Sequence, residues 1–166
     1  HHPFHIHGAG RFLILAREAD VEPQSEDFEI ADIVLDEADN ARALLIGKEV
    51  DLEVTCNAKP RLHAPPRVMQ VVISNLLRNA CSYTDDGRID VIVEQDRVIV
   101  RDTGIGMSEE SMARAFEPFY RADPTRPHGT GLGLSIVRRL CDRFGWKIEL
   151  ESVLGRGTSA TIRFLP

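Results

Sequence analysis

The chain has 166 residues, 43% of them apolar, with 26 acidic against 20 basic side chains and a formal net charge of −6. One domain with a proper core fits these totals, and a disordered chain does not. The acidic balance, with no basic stripe, argues against a nucleic-acid partner, and no apolar run nears the roughly 18 residues of a membrane span.

Residues 1–7 read HHPFHIH and hold four of the six histidines, so residues 1–10 are read as the remnant of an expression tag and set aside. Residues 11–19, RFLILAREA, look like the last turns of a helix, and residues 21–27 like an acidic linker. A short strand is expected at 28–30. A helix is expected over 31–46, where Ile33, Val34, Ala38, Ala41, Leu44 and Leu45 recur at helical spacing before Gly47. Val50, Leu52 and Val54 alternate with charged residues, which predicts a strand over 50–56. Pro65-Pro66 opens a helix over 66–83, and Asp86-Gly87 reads as a turn. Strands at 88–94 and 97–102 form a hairpin through Gln95-Asp96. Ser108 caps a helix over 109–116. A long loop rich in proline and glycine fills 117–131, and a helix over 132–144 stops at Gly145. Strands at 146–152 and 158–165 are joined through Gly155 and Gly157. Helices alternating with strands early, and hairpins late, predict an α/β fold: a two-layer sandwich with one mixed sheet covered by helices on one face. Cys56, Cys81 and Cys141 form no CxxC pair and are expected to be reduced, buried thiols of a cytosolic protein.

Three segments carry chemical signals. In VVISNLLRNACSYT, Met69, Val72, Ile73, Leu76 and Ala80 share the core face of a helix. Asn75 and Asn79 stack one turn apart on the neighbouring stripe, and Tyr83 extends it. Helix interiors disfavour asparagine. The pair is either a polar face or two amide oxygens aimed at a metal–phosphate group, since magnesium takes oxygen ligands. In VRDTGIGM, residues 100–107, Asp102 closes a strand and Gly104 and Gly106 follow. A carboxylate there can accept from the exocyclic amine of adenine, while guanine presents a carbonyl. In GTGLGLS, residues 129–135, glycines lead into a helix whose first N–H groups can face phosphate. A P-loop lysine is missing, and so is the dinucleotide-binding unit. Between the last two segments, Phe116, Phe119 and Tyr120 could anchor a mobile loop, with Arg121, Arg126 and His128 beside a polyphosphate.

The asparagine helix, DxGxGM, FxPFYR and GTGLGLSIV together, in this order, resemble the four boxes of the histidine-kinase catalytic domain, in the superfamily shared with DNA gyrase and heat-shock chaperone ATPases. The resemblance covers roughly residues 28–165 and implies a Bergerat-type sandwich that holds ATP and Mg2+ under a flexible lid. It implies that Asn79 and Asn75 face the magnesium, that Tyr83 packs near adenine, and that Asp102, with Gly104 and Gly106, binds it. Gly129, Thr130, Gly131, Leu132 and Gly133 would shape the phosphate end, and Arg121 would neighbour the nucleotide. Ser82 stands where many members carry Lys or Arg, which leaves Arg121, Arg126 or His128 to compensate. The activity implied is transfer of the ATP γ-phosphoryl group to a histidine on a dimerisation domain of the same protein. That domain's second helix would end in residues 11–19, with a linker to 27 and the catalytic domain over 28–166. A response regulator would be the next partner, and the setting the cytoplasmic side of an inner-membrane sensor. No HE-x-x-x-P-type acceptor segment occurs, so the isolated chain is expected to bind ATP without phosphorylating itself. Two other functions stay open. One is a conformational ATPase, against which Asn75 stands where hydrolytic relatives place a glutamate, or an anti-sigma-type serine kinase, against which the helix remnant before residue 20 stands. The other is a nucleotide-sensing module without catalysis.

Overall fold

The computed structural model describes residues 23–126 and 131–166. In chain order these form β1 (Glu26–Glu29), α1 (Ile30–Ala41) with a 3-10 extension over Arg42–Leu45, β2 (Glu49–Cys56), β3 (Arg61–Ala64) and α2 (Pro66–Tyr83). Then come β4 (Asp86–Val93), β5 (Arg97–Asp102), α3 (Glu109–Arg114), α4 (Gly133–Phe144), β6 (Lys147–Val153) and β7 (Gly157–Arg163). The readings of residues 1–10 and 11–19 lie outside the described residues.

Five strands make the main sheet in the order β2-β4-β5-β7-β6, and β1 pairs with β3 separately. β2 and β4 run parallel, with α2 in their crossover, and the other neighbours are antiparallel. Alternation along the strands sorts the two faces. Ile89, Val91, Val93, Val98, Val100, Ala160 and Ile162 point into the core with Val34, Ile73, Leu76, Val137 and Leu140 of the helices. Asp90, Arg101, Glu149 and Arg163 occupy the alternate, outer positions. The helices thus cover one face of a mixed sheet, the expected two-layer sandwich.

The long helix α2 starts where expected. Pro66 sits in its first turn, where a missing N–H costs nothing. At its other end Lys48 Nζ donates to the carbonyls of Cys81 (2.7 Å) and Thr84 (3.0 Å), serving groups that a helix end leaves unpaired. Ser108 Oγ accepts from Ser111 N as the cap of α3. Gly145, at φ +76°, closes α4 and lets Trp146 N return to the Cys141 carbonyl at 2.8 Å.

Three expectations need correction. Asp86 and Gly87 do not turn; they begin β4, opposite Glu49 and Val50. Gly87 is there because φ is +127° and Thr103 Oγ1 lies 2.2 Å from where a Cβ would stand. The helix expected over 31–46 tightens to 3-10 geometry after Ala41. The strand-like stretch before Pro65 needs none: it forms β3, in which His63 faces Asp27 with Nδ1 2.8 Å from Oδ1. Finally, Cys56 is exposed at the last position of β2, while Cys81 and Cys141 are buried. Burial pushes those two thiols up to about 11 and about 12.

Candidate functional site

One row of the sheet's inner face turns polar. The register sets Ile89 beside Asp102, Asp102 beside Thr158, and Thr158 beside Ser152, at one end of the core. Asp102 is 5% exposed. Its Oδ1 accepts from Gly104 N at 2.9 Å and Thr158 N at 3.2 Å. Burial raises its carboxyl to about 6 against the pull of those two bonds. Both bonds fall on Oδ1, so Oδ2 takes neither. A buried carboxylate with one oxygen uncommitted is costly for a fold and useful to a ligand. Beside it, Thr158 Oγ1 lies 2.7 Å from Ser152 Oγ, which also meets Met107 N at 2.8 Å and the Gly157 carbonyl at 3.0 Å. The sequence reading singled out neither Thr158 nor Ser152. Their signal is the strand register, which no motif spells.

The glycines of DxGxGM let backbone approach backbone. A Cβ at Gly104 would lie 2.0 Å from the Tyr83 carbonyl, which accepts from Ile105 N at 2.9 Å. Gly106, at φ +69°, would meet the Val153 carbonyl at 2.1 Å. The loop is thereby clamped between the end of α2 and the β6–β7 turn.

Asn75 lies deeper than the core edge expected for it, at 3% exposure. Its Nδ2 donates to the Val71 carbonyl at 2.8 Å. Its Oδ1 lies 2.9 Å from the Cβ position of Gly133, at the start of α4. The first and last motifs therefore touch. Asn79, one turn on, is half-buried. Leu132 buries its side chain in the core, so only its backbone can face a ligand.

The segment from Ala115 to Arg126 attaches mostly by side chains. Arg138 sits over the Phe116 ring at 4.0 Å and Arg114 over Tyr120 at 4.4 Å, while Tyr120 Oη meets Ser111 Oγ at 2.8 Å. Asp123 N donates to Tyr83 Oη at 3.4 Å. Phe119, 71% exposed, donates its N–H to the Gly131 carbonyl, and both residues have positive φ. Arg126 pairs with Asp85 and, at 3.4 Å, with Asp123. Asp85 also faces Lys48 at 3.7 Å, and its hydrogen bond from Arg126 holds its carboxyl below the usual range. Arg121 donates to the Arg126 carbonyl, and its Nε is buried without a partner among the described residues. Arg126, expected beside a polyphosphate, is held here by two carboxylates. Ser82 is buried. His128, Gly129 and Thr130 lie outside the described residues.

The chain matches known proteins in the same region. The family model for histidine kinase-, DNA gyrase B- and HSP90-like ATPases covers residues 64–166. The signal transduction histidine-protein kinase BarA of Escherichia coli (strain K12) is 35% identical over 125 residues, 68% of this chain and 14% of BarA. Sporulation kinase E of Bacillus subtilis (strain 168) is 34% identical over 158 residues, 89% of this chain and 20% of that kinase. The chain thus spans a fifth or less of the length of these two curated relatives. Among solved structures, the catalytic domain of histidine kinase ThkA superposes with a TM-score of 0.73 at 25% identity, covering 84% of this chain and 94% of that one. Full-length ShkA in complex with AMPPNP shares the fold, with a TM-score of 0.82 at 22% identity over 96% of this chain and 35% of ShkA. No helix among the described residues is long and apolar enough to cross a membrane. With more than half of its length inside the family model, this chain belongs to the histidine kinase-, DNA gyrase B- and HSP90-like ATPases, a family whose domain binds ATP.

Proposed function

We propose that this chain is the catalytic domain of a sensor histidine kinase, which holds ATP and passes its γ-phosphoryl group to a histidine on a dimerisation domain of the same protein. Asp102 carries the reading. Its buried carboxylate keeps Oδ2 free beside Thr158 and suits the exocyclic amine of adenine. Tyr83 would line the base, with Gly104 and Gly106 fixing the loop around it. The phosphates would lie toward the N-terminal end of α4, near the backbone of Gly131, Leu132 and Gly133 and near Gly129 and Thr130, with Arg121 as the neighbouring cation.

Magnesium fits the donor set. Asn75 spends its Nδ2 on Val71, so its Oδ1 is the end left for a ligand, and Asn79 offers a second neutral oxygen on the same stripe. When bound, the ion would neutralise phosphate charge. Transfer then depends mostly on position. Asn75 stands where a hydrolytic relative needs a carboxylate, and an amide cannot take a proton from water, so hydrolysis stays slow. A response regulator as the next acceptor, a cytoplasmic setting under an inner membrane, and the domain boundary near residue 28 belong to the same proposal.

The test supplies the chain with a dimerisation domain from a related kinase and labelled ATP. Acid-labile, base-stable label on that domain is expected, lost in Asn79→Ala along with the magnesium-dependent part of ATP affinity. If Asn79→Ala loses equal affinity with and without magnesium, Asn79 is structural. ATP binding with no transfer would favour a nucleotide-sensing module.

A further inference from the structure

We infer that Ser152 sets purine selectivity by fixing the direction in which the Thr158 hydroxyl points its proton. The inference rests on the proposal that Asp102 faces the base, and it adds how the site tells an amino group from a proton-free oxygen.

Ser152 Oγ has three neighbours: Met107 N at 2.8 Å, the Gly157 carbonyl at 3.0 Å and Thr158 Oγ1 at 2.7 Å. A serine hydroxyl holds one proton and two lone pairs. Met107 N–H can only donate, so it takes one lone pair. The Gly157 carbonyl can only accept, so it takes the proton. The one capacity left on Ser152 is a lone pair, and Thr158 must donate to it. The Thr158 proton is therefore committed, and its remaining lone pairs are what it can offer a ligand.

Thr158 is the direct cross-strand neighbour of Asp102 on the inner face of the sheet. The Asp102 Oδ1 is occupied by the N–H groups of Gly104 and Thr158, and Oδ2 is free. Asp102 and Thr158 thus present acceptors only. An amino group, with two hydrogens, satisfies such a pair directly or through one water. A 6-oxygen in the same place brings a third acceptor that neither group can pair, leaving any N1–H of the base to find its own partner, and buried acceptors left unpaired are penalised. Ser152 need not touch the ligand: it is a positioning residue acting through Thr158. If Ser152 donated to Thr158 instead, the Thr158 proton would be free and a 6-oxygen would be tolerated.

The experiment compares affinities for ATP and for 6-methoxypurine riboside triphosphate, which puts a proton-free oxygen where the 6-amino group stands and keeps N1 an acceptor. Wild type is expected to prefer ATP strongly. In Ser152→Ala the Thr158 hydroxyl is released to rotate and donate, so the preference for ATP is expected to fall about tenfold, mostly through tighter binding of the 6-methoxy analogue. Ser152→Thr keeps the hydroxyl and is expected to restore the preference. In a Thr158→Val background Ser152→Ala is expected to leave the preference unchanged, because the group it acts through is gone. An equal loss of both nucleotides in Ser152→Ala would show that Ser152 only pins Met107, and would overturn the inference. Should Ser152→Ala fail to fold, Thr158→Val alone decides: its preference must fall, and an unchanged one overturns the inference. A preference that drops in Asp102→Asn but not in Ser152→Ala also overturns it, while leaving the adenine reading standing. Wild type that binds neither nucleotide overturns both.

Discussion

The candidate site has two halves built by different chemistry. Around Asp102 the partners are backbone groups and short hydroxyls, on β6 and β7 or in the loop that leaves β5: Gly104 N, Thr158 N, Met107 N and the Gly157 carbonyl. Across from it, the 115–126 segment is tied mostly by long side chains, Arg138 on Phe116, Arg114 on Tyr120 and Arg126 on Asp85 and Asp123, with one backbone bond from Phe119 to Gly131. Ties of the first kind are short, backbone-based and closed in by the β6–β7 turn and the end of α2. Ties of the second kind are worth about 0–1 kcal/mol each and are screened by salt. The half that would read the base is therefore preset, and the half that would face the phosphates is held mostly by contacts that a polyanion can outbid.

The sharpest test puts the same change beside Asp102 and at the start of α4. Gly104→Ala drives a Cβ into the Tyr83 carbonyl, which is backbone and cannot yield. A loss of about 2–4 kcal/mol in urea unfolding and abolished ATP binding are expected. Gly133→Ala meets only the tip of the Asn75 side chain, and about 1 kcal/mol or less is expected. Equal costs would erase the distinction.

Asp102→Asn comes next. The amide oxygen can still accept from Gly104 and Thr158, so the fold survives, but Nδ2 now points a donor where the amine donates. ATP affinity in a titration should fall by about 1–3 kcal/mol, roughly tenfold to a hundredfold. The pH dependence has two signs. The folded carboxyl titrates at about 6, above its ordinary 3.8, so the stability this group allows the free domain is full below about pH 4 and is lost as pH rises through 6. The loss is on the order of 2–3 kcal/mol. Binding runs the other way: adenine needs the carboxylate, so affinity should weaken as pH falls below about 6. Both slopes should vanish in Asp102→Asn.

Asp85→Asn probes the exchangeable half and should do less. Arg126 loses its main partner, hydrogen exchange across 115–126 should quicken, and stability should change by about 1 kcal/mol or less. ATP with magnesium should slow exchange there in wild type. Protection already complete without ligand would contradict a closing segment. The smallest effect expected is none at all. Incubated alone with labelled ATP, the chain should gain no phosphohistidine, because His63 lies in β3 against Asp27 and not on a helix presented to a nucleotide. Stoichiometric label removed by changing His128 would mean that the chain carries its own acceptor.

How much of this was legible depended on how far apart the partners lie in sequence. Pro65-Pro66, Gln95-Asp96, Ser108 and Gly145 mark their elements locally, and each stands where the sequence put it. Asp102 and its glycines read as a motif for the same reason. Ser152 and Thr158 could not, because their role comes from the register of β6 and β7 against β5, some fifty residues away. Lys48 was missed likewise: nothing local says that it closes a helix ending at Tyr83. Gly87 misled because Asp-Gly serves a turn and a close strand approach equally well.

The strand order has a consequence for synthesis. β7 is the last strand in sequence yet sits inside the sheet, between β5 and β6. Until it arrives, the inward edge of β5 is unpaired, and Asp102 lacks the Thr158 N–H that helps hold its carboxylate. A growing chain could form α2 and the β4–β5 hairpin early, since their contacts are local. Competence to bind nucleotide should then switch on abruptly when residues 157–163 clear the ribosome, and nascent chains stalled short of that point should not be retained on an ATP resin.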